Sequence, residues 1–311
     1  MDRRTFLVTA AAAAPTIQTL ARAPGPRVSR ASMRLILLGT AGGPRPHATR
    51  GAPAQVVIVN GAAYVVDCGN GVARQLVAAG ISLRAIRSVF VTHHHSDHNA
   101  DYGTLLLLAW AAGLTTPVDT WGPPPLRRIT EAFFEMSVTD VDARMHDEGR
   151  PDPRPLVRAH ELRAGGRVVE DPDVKVTAAV VDHPPLVPAF AYRFDAPDRS
   201  VVISGDTRPS DAVVALARGA DVLVHEAMMP SAVDRLVANV PNASDLKRSI
   251  LSHHTTAEDA GRVAQAAGVG TLVLSHLVPA DDPSVPEESW IEAAQRHFRG
   301  RVMLGRDLLE V

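Results

Sequence analysis

A chain of 311 residues with 46% hydrophobic side chains is long enough for one large domain or two small ones, and apolar enough for a substantial core. Its 32 basic and 34 acidic residues nearly cancel, which excludes the strong basic excess of a dedicated nucleic-acid binder. The single cysteine, Cys68, excludes an internal disulfide, and its apolar flanks predict a buried structural thiol.

The first 31 residues stand apart. Arg3-Arg4 with Thr5-Phe6-Leu7, and an alanine-rich apolar run to about Ala21, resemble a twin-arginine export signal. Ala21-Arg22-Ala23 and Ser29-Arg30-Ala31 are its candidate cleavage sites. Pro15 and Gln18 interrupt the run, which falls short of the roughly 20 apolar residues of a spanning helix. The expectation is a periplasmic or secreted protein whose mature chain, 32–311, has no stable membrane span. Residues 1–31 hold five arginines and one aspartate, so the remaining 280 residues carry 27 basic and 33 acidic side chains, a formal charge of −6. That balance argues against a nucleic-acid partner.

Beyond the signal, strand-like and helical runs alternate. Arg34–Leu38, Gln55–Val59 and Ala62–Val66 read as strands, the last two joined by the hairpin pair Asn60-Gly61. Gly71–Ala79 reads as a helix stopped at Gly80, Ser88–Thr92 as a buried strand, and Leu105–Ala112 as a short apolar helix. Residues 117–165 are the least regular. Beyond a helical stretch near Leu126–Met136 they read as an insertion forming a lid or part of the substrate pocket. Strands resume at Val174–Val181, Ala189–Phe194, Ser200–Ser204 and Asp221–His225, with a helix at Asp211–Arg218. Glu258–Ala267 is a helix with a capping box at Thr255-x-x-Glu258. Thr271–Ser275 is a strand, Ser289–Arg299 a helix and Arg301–Leu304 a last strand. Two runs of ββ…α predict two similar halves packed sheet against sheet, with helices outside.

The densest chemical signal is His93-His94-His95-Ser96-Asp97-His98, placed just past a buried strand. Imidazole nitrogen and carboxylate oxygen are the ligands that zinc favours. Alternation along the strand lets His93 and His95 project the same way, leaving His94 to point elsewhere. Asp97 and His98 follow on the turn, within reach of a second metal. His183, Asp206 and His276 each stand just past a further predicted strand, so they can converge on the same sheet edge. Two-metal sites of this kind activate water for hydrolysis.

The ordered set His93-x-His95-x-Asp97-His98, His183, Gly205-Asp206 and His276 resembles the metallo-β-lactamase superfamily. Leu38–Pro44, Val66–Gly69, the segment after His183, His225-Glu226-Ala227 and His254-Thr255-Thr256 are similar to motifs of its ribonuclease Z-like branch. The resemblance spans about Met33 to Val311. It implies an α/β (α+β) fold, an αββα sandwich of two mixed sheets packed face to face. It also implies two Zn2+ ions, with Mn2+ or Fe2+ as alternatives. His93, His95 and His183 would hold one metal, Asp97, His98 and His276 the other, and Asp206 would bridge them around a nucleophilic hydroxide. Asp97 would orient that hydroxide, His254 would act as general acid, and Glu226 would fix the tautomer of His254. Asp67 is open between a partner of a ligand and a strand-end cap, and His225 reads as structural.

Ser96 and Asp101-Tyr102 depart from the ribonuclease Z pattern, and residues 117–165 do not read as a basic, glycine-rich arm that clamps transfer RNA. With the export signal, these departures make the first expectation an exported hydrolase of a small ester: a phosphodiester, aryl sulfate or lactone, in the manner of arylsulfatase-type relatives. The alternative is a transfer-RNA 3′-end endonuclease. A β-lactam hydrolase and a non-hydrolytic di-iron protein rank below both. A homodimer is compatible with the resemblance.

Overall fold

Continuous apolar strands and their crossover helices arrange the chain as two stacked sheets. The computed structural model describes residues 33–311, and the export-type segment 1–31 lies outside the described residues. The first sheet holds β1 (Arg34–Gly39), β2 (Ala54–Val59), β3 (Ala62–Val66), β4 (Ile86–Phe90), β5 (Val118–Gly122) and β6 (Val157–Glu161), side by side in that order. β1 to β3 pair antiparallel and β3 to β6 pair parallel. Asn60 and Gly61 both have positive φ, 50° and 80°, the backbone that a two-residue hairpin of matching twist needs. Each parallel step requires a crossover. α1 (Val72–Ala78) links β3 to β4, and α2 (Ser96–Asn99) with α3 (Tyr102–Ala111) links β4 to β5. α4 (Leu126–Met136) with α5 (Val138–Glu148) links β5 to β6.

The second sheet repeats this plan. β7 (Gly166–Glu170), β8 (Lys175–Val181), β9 (Ala189–Asp195) and β10 (Ser200–Ile203) are antiparallel. β10, β11 (Val222–Met228), β12 (Thr271–Val278) and β13 (Arg301–Leu304) are parallel. Its helices are α6 (Asp211–Ala217), α7 (Pro230–Ala238), α8 (Leu246–His253), α9 (Ala257–Ala267) and α10 (Glu287–Gln295).

Three apolar clusters set the layers. Leu35, Val57, Tyr64 and Phe90 of the first sheet pack on Tyr192, Phe194, Val201 and Val224 of the second. Phe90 stands edge-on to Phe194, ring centroids 5.3 Å apart, an arrangement favoured by the ring quadrupoles. The outer face of the first sheet packs against α1 and α3, and that of the second against α6, α9 and α10. The fold is the αββα sandwich expected, with two mixed sheets.

Three local expectations change. Residues 117–165 are not an irregular insertion: they complete the first sheet with β5 and β6 and supply the α4–α5 crossover between them. Proline-rich ends masked two short strands that are set by pairing rather than by pattern. The cap of α9 lies one residue later than the Thr255–Glu258 spacing suggests. Thr256 Oγ1 accepts from the Asp259 N–H at 3.0 Å, while Thr255 Oγ1 donates to the Thr207 carbonyl at 2.6 Å. The last helix starts at Glu287 and ends at Gln295, two residues before and four before the expected limits.

The topology decides where the site can be. β8 runs in the same direction as β10, β11 and β12, because two antiparallel steps through β9 restore it. Ligand-bearing loops of such sheets gather at the carboxyl ends of the strands. His183 follows β8, Asp206 follows β10, and His276 lies near the end of β12.

Candidate metal centre

Each converging side chain is aimed by a specific backbone feature. His93 extends from the end of β4, and His95 is the last extended residue before the single turn of α2, which carries Asp97 and His98. Asp206 follows Gly205, whose φ is +59°. A Cβ there would lie 2.8 Å from the Phe190 carbonyl oxygen and 2.9 Å from Thr92 Cβ, so only glycine fits. His276 sits at a bulge: Ser275 pairs with Glu226 and Leu277 with Ala227, leaving His276 unpaired at φ 44°. Bulges of this type re-aim a side chain at the cost of local strain. Gly42 makes room beside it, since a Cβ there would stand 2.7 Å from His276 Nδ1.

Two ligand groups result. In the first, His95 Nδ1 lies 3.0 Å from His93 Nε2 and 3.1 Å from His183 Nε2, with Asp206 Oδ2 at 3.8 Å and 4.0 Å from the latter two. Bonds of 2.0–2.1 Å at tetrahedral angles put ligand atoms roughly 3.3 Å apart. In the second, Asp97 Oδ2 is 3.5 Å from His98 Nε2 and 3.3 Å from His276 Nε2, and Asp206 Oδ2 is 3.3 Å and 3.1 Å from the same nitrogens. Asp206 belongs to both groups. All seven side chains expected to hold metal therefore meet at one place, and Asp206 stands between the groups.

The hydrogen bonds fit a dication at each position. His98 Nε2 and Asp206 Oδ1 are buried without a hydrogen-bond partner among the described residues, a costly state that a metal ion would relieve. The far nitrogens of three of these histidines are held. His98 Nδ1 bonds Asp67 Oδ2 at 2.8 Å, His183 Nδ1 bonds the His253 carbonyl at 3.2 Å, and His93 Nδ1 lies 3.0 Å from Thr92 Oγ1. With the proton on Nδ1, each of these rings turns Nε2 toward the site. Burial pushes the His93 imidazole well below its ordinary pKa and takes His183 down to about 4, leaving the neutral, ligating form. Burial works to protonate Asp206, but the His276 and His98 imidazoles hold its carboxyl well below the usual range.

The geometry sets Asp67 against His98, one of the side chains expected to hold metal. Its carboxylate accepts from the Thr92 N–H at 2.8 Å and the Thr92 hydroxyl at 2.9 Å besides His98. One carboxylate thus braces His98 directly and His93 through Thr92. Thr92 escaped the sequence reading, and no periodicity marks it. Glu226 Oε2 lies 2.8 Å from His254 Nδ1, and Glu226 Oε1 accepts from the Thr207 N–H at 2.5 Å. Burial opposes a charge on His254, yet the Glu226 carboxylate outweighs it and raises the imidazole to about 9. His94 turns away as expected, bonding the Pro123 carbonyl at 2.8 Å. His225 bonds the Glu226 carbonyl through Nδ1 at 2.8 Å, and Cys68 is buried.

A cavity of about 390 Å3 opens over these groups. Its floor includes Asp97, Asp206, His254 and His276, and one wall comes from the α7–α8 segment. That segment, rather than 117–165, shapes the space above the metal groups. A second cleft of about 590 Å3 meets it at Ser96 and Asp97 and carries Arg45, Arg50 and Arg74. No helix among the described residues is long and apolar enough to cross a membrane.

Comparison with known proteins agrees with this geometry. Residues 63–277 match the family described as the beta-lactamase superfamily domain. The chain is 34% identical over 282 residues to a ribonuclease Z of Mycobacterium bovis (strain BCG / Pasteur 1173P2), covering 90% of this chain and 98% of that protein. It is 36% identical to a ribonuclease Z of Mycobacterium sp. (strain KMS), covering 90% and 95%. Among solved structures, the metallo-β-lactamase fold protein YhfI from Bacillus subtilis superposes with a TM-score of 0.66 at 21% identity, covering 90% of this chain and 98% of that one. Human tRNase Z, short form, superposes with a TM-score of 0.65 at 22% identity, covering 89% and 98%. Both share the fold.

These relatives overturn the expectation against a nucleic-acid partner. The −6 balance is a sum over residues 32–311 and says nothing of where charge sits, and the cleft beside Asp97 is lined by Arg45, Arg50 and Arg74 together with Asp307. Potential at a binding surface follows such local clusters.

Proposed function

The chain belongs to the metallo-β-lactamase superfamily and is a metal-dependent hydrolase of ester bonds, and from that premise we propose that it is a ribonuclease Z-like endonuclease acting at the 3′ side of transfer-RNA precursors. The observation that carries the reading is the 34–36% identity to ribonuclease Z proteins over 90% of the chain. It reverses the order in which composition and the departures at Ser96 and Asp101-Tyr102 rank the two readings.

His93, His95 and His183 would hold one divalent metal, Asp97, His98 and His276 a second, with Asp206 shared. The donor set of nitrogen and carboxylate oxygen suits zinc. When bound, the pair supplies an activated water and Lewis-acid polarisation of the phosphodiester. The protein does the rest. Asp67 and Thr92 hold the histidine tautomers. The Gly43 N–H donates to Asp97 Oδ2 at 3.0 Å, fixing a carboxylate at the cavity floor that can orient the attacking water. Glu226 favours the charged form of the His254 imidazole, whose Nε2 would give its proton to the departing ribose oxygen. The cavity walls limit bulk water around that transfer.

The test is incubation of the zinc-loaded full chain with a precursor transfer RNA carrying a 3′ trailer. The expected product ends are a 3′-hydroxyl on the transfer RNA and a 5′-phosphate on the trailer. No cleavage, alongside turnover of bis(4-nitrophenyl) phosphate, would overturn the RNA reading and leave the hydrolase. The twin-arginine segment Arg3-Arg4 favours a second reading, an exported hydrolase of a small phosphodiester. Fractionation of cells expressing the full chain separates the two, since an RNA-maturing enzyme must remain in the cytoplasm.

A further inference from the structure

The wall above the metal groups has a chemical character that the reaction itself does not require. Leu236, Val240, Ala243 and Leu246 line the cavity and are half-buried, and Ile250 and Val278 beside them are buried. Behind them lies a small apolar cluster of their own, with Met228 and Val233. The floor, by contrast, is ionic: Asp97, Asp206, His254 and His276. A cavity that is charged at one end and aliphatic at the other orients an amphipathic ligand, anionic group down and apolar group against the wall. The volume, about 390 Å3, admits one ring system.

We propose that the α7–α8 wall is a specificity slot for a planar aromatic ring joined to the scissile phosphate through a sugar or an ester oxygen. Resting on the RNA reading above, that ring is the base of a nucleotide flanking the cleaved bond. A small aryl phosphodiester would present the same chemistry. The slot acts through apolar burial of the ring against Leu236, Val240 and Leu246, so it discriminates by ring rather than by hydrogen-bond pattern.

The experiment measures calorimetric binding of two ligand pairs, adenosine monophosphate against ribose 5-phosphate and phenylphosphonate against methylphosphonate, to the zinc-loaded full chain, then to Ala243→Trp, which fills the slot. Leu236→Ala, a milder change, guards against misfolding of the first. We expect the ring-bearing member of at least one pair to bind at least tenfold tighter than its ringless partner. Ala243→Trp should weaken the ring-bearing ligand far more than its ringless partner, and Leu236→Ala should reduce the ratio severalfold. Precursor transfer RNA with an abasic nucleotide beside the scissile bond should be cleaved at least tenfold more slowly than the intact precursor. A ring preference without cleavage of any precursor would support the slot, assign it to a small aryl phosphodiester and defeat the RNA reading. Equal affinities within both pairs, or equal loss of both members in the variants, would overturn the slot even if precursor RNA is cleaved.

Discussion

The two sides of the cavity are built on opposite principles. The ligand side is polar, buried and cross-braced: His93, His98 and Thr92 all lead to Asp67, and His254 leads to Glu226. The α7–α8 side is mainly aliphatic, with Asn242 and Ser249 among its lining, half-buried and held by a cluster of a few side chains. Chemistry of the reaction lives in the first and tolerates little change, because each buried polar group left unpaired costs free energy. Choice of substrate can live in the second, where volume and apolar area vary without disturbing the metal groups.

The sharpest break of the ligand side is Asp206→Ala. A carboxylate shared by both groups has no substitute in a methyl, so metal content should fall from two per chain to one or none, with turnover lost. Elemental analysis of the purified variant checks this; two metals and full activity would refute the shared position of Asp206. Next comes His254→Ala, which removes a proton donor but no ligand. Metal content should hold while the rate drops about 10²–10⁴-fold on a poor leaving group, and far less on 4-nitrophenolate, which leaves without help. A wild-type rate on the poor leaving group would take His254 out of the mechanism. Asp67→Asn should have a smaller effect, weakening metal affinity by about 10–100-fold, with Thr92→Val weaker again. Competition against a chelator measures both, and an unchanged affinity in Asp67→Asn would show that His98 needs no brace.

The ligand side was legible in the sequence and the wall was not, for a physical reason. A metal ligand must be one of a few residue types, and in sheets of this kind it commonly stands just past the carboxyl end of a strand. His93, His183, Asp206 and His276 therefore announce themselves by chemistry and by position together. The wall needs only aliphatic volume, and Leu236, Val240 and Leu246 look like ordinary helix residues until the fold lays α7 and α8 beside the site. β5 and β6 were missed on similar grounds: their strand character comes from pairing, β5 with β4 and β6 with β5, while Pro-rich neighbours suggested irregular chain. The charge sum misled because Arg45, Arg50 and Arg74 converge only in the folded state. Asp67 lay between these cases, marked as interesting by its place at the end of β3 but assigned only by its three hydrogen bonds.

The smallest expected effect tests whether bracing extends behind the ligands. His225 is buried on β11, one residue before Glu226, and burial takes its imidazole down to about 4. Below an ordinary histidine pKa of about 6.5, the unfolded chain binds a proton that the folded chain does not. Stability must then rise with pH across this window, and acidification from about 6.5 to about 4 removes it, with a slope of at most ~1.4 kcal/mol per pH unit from this group. His225→Asn keeps a donor for the Glu226 carbonyl but does not titrate. Urea unfolding at several pH values should give the variant a shallower loss of stability on acidification than the parent, the contributions of other groups cancelling in the difference. Identical slopes would mean that His225 is protonated in the folded protein. The backbone carrying Glu226, and with it His254, would then have to tolerate a buried charge next to it.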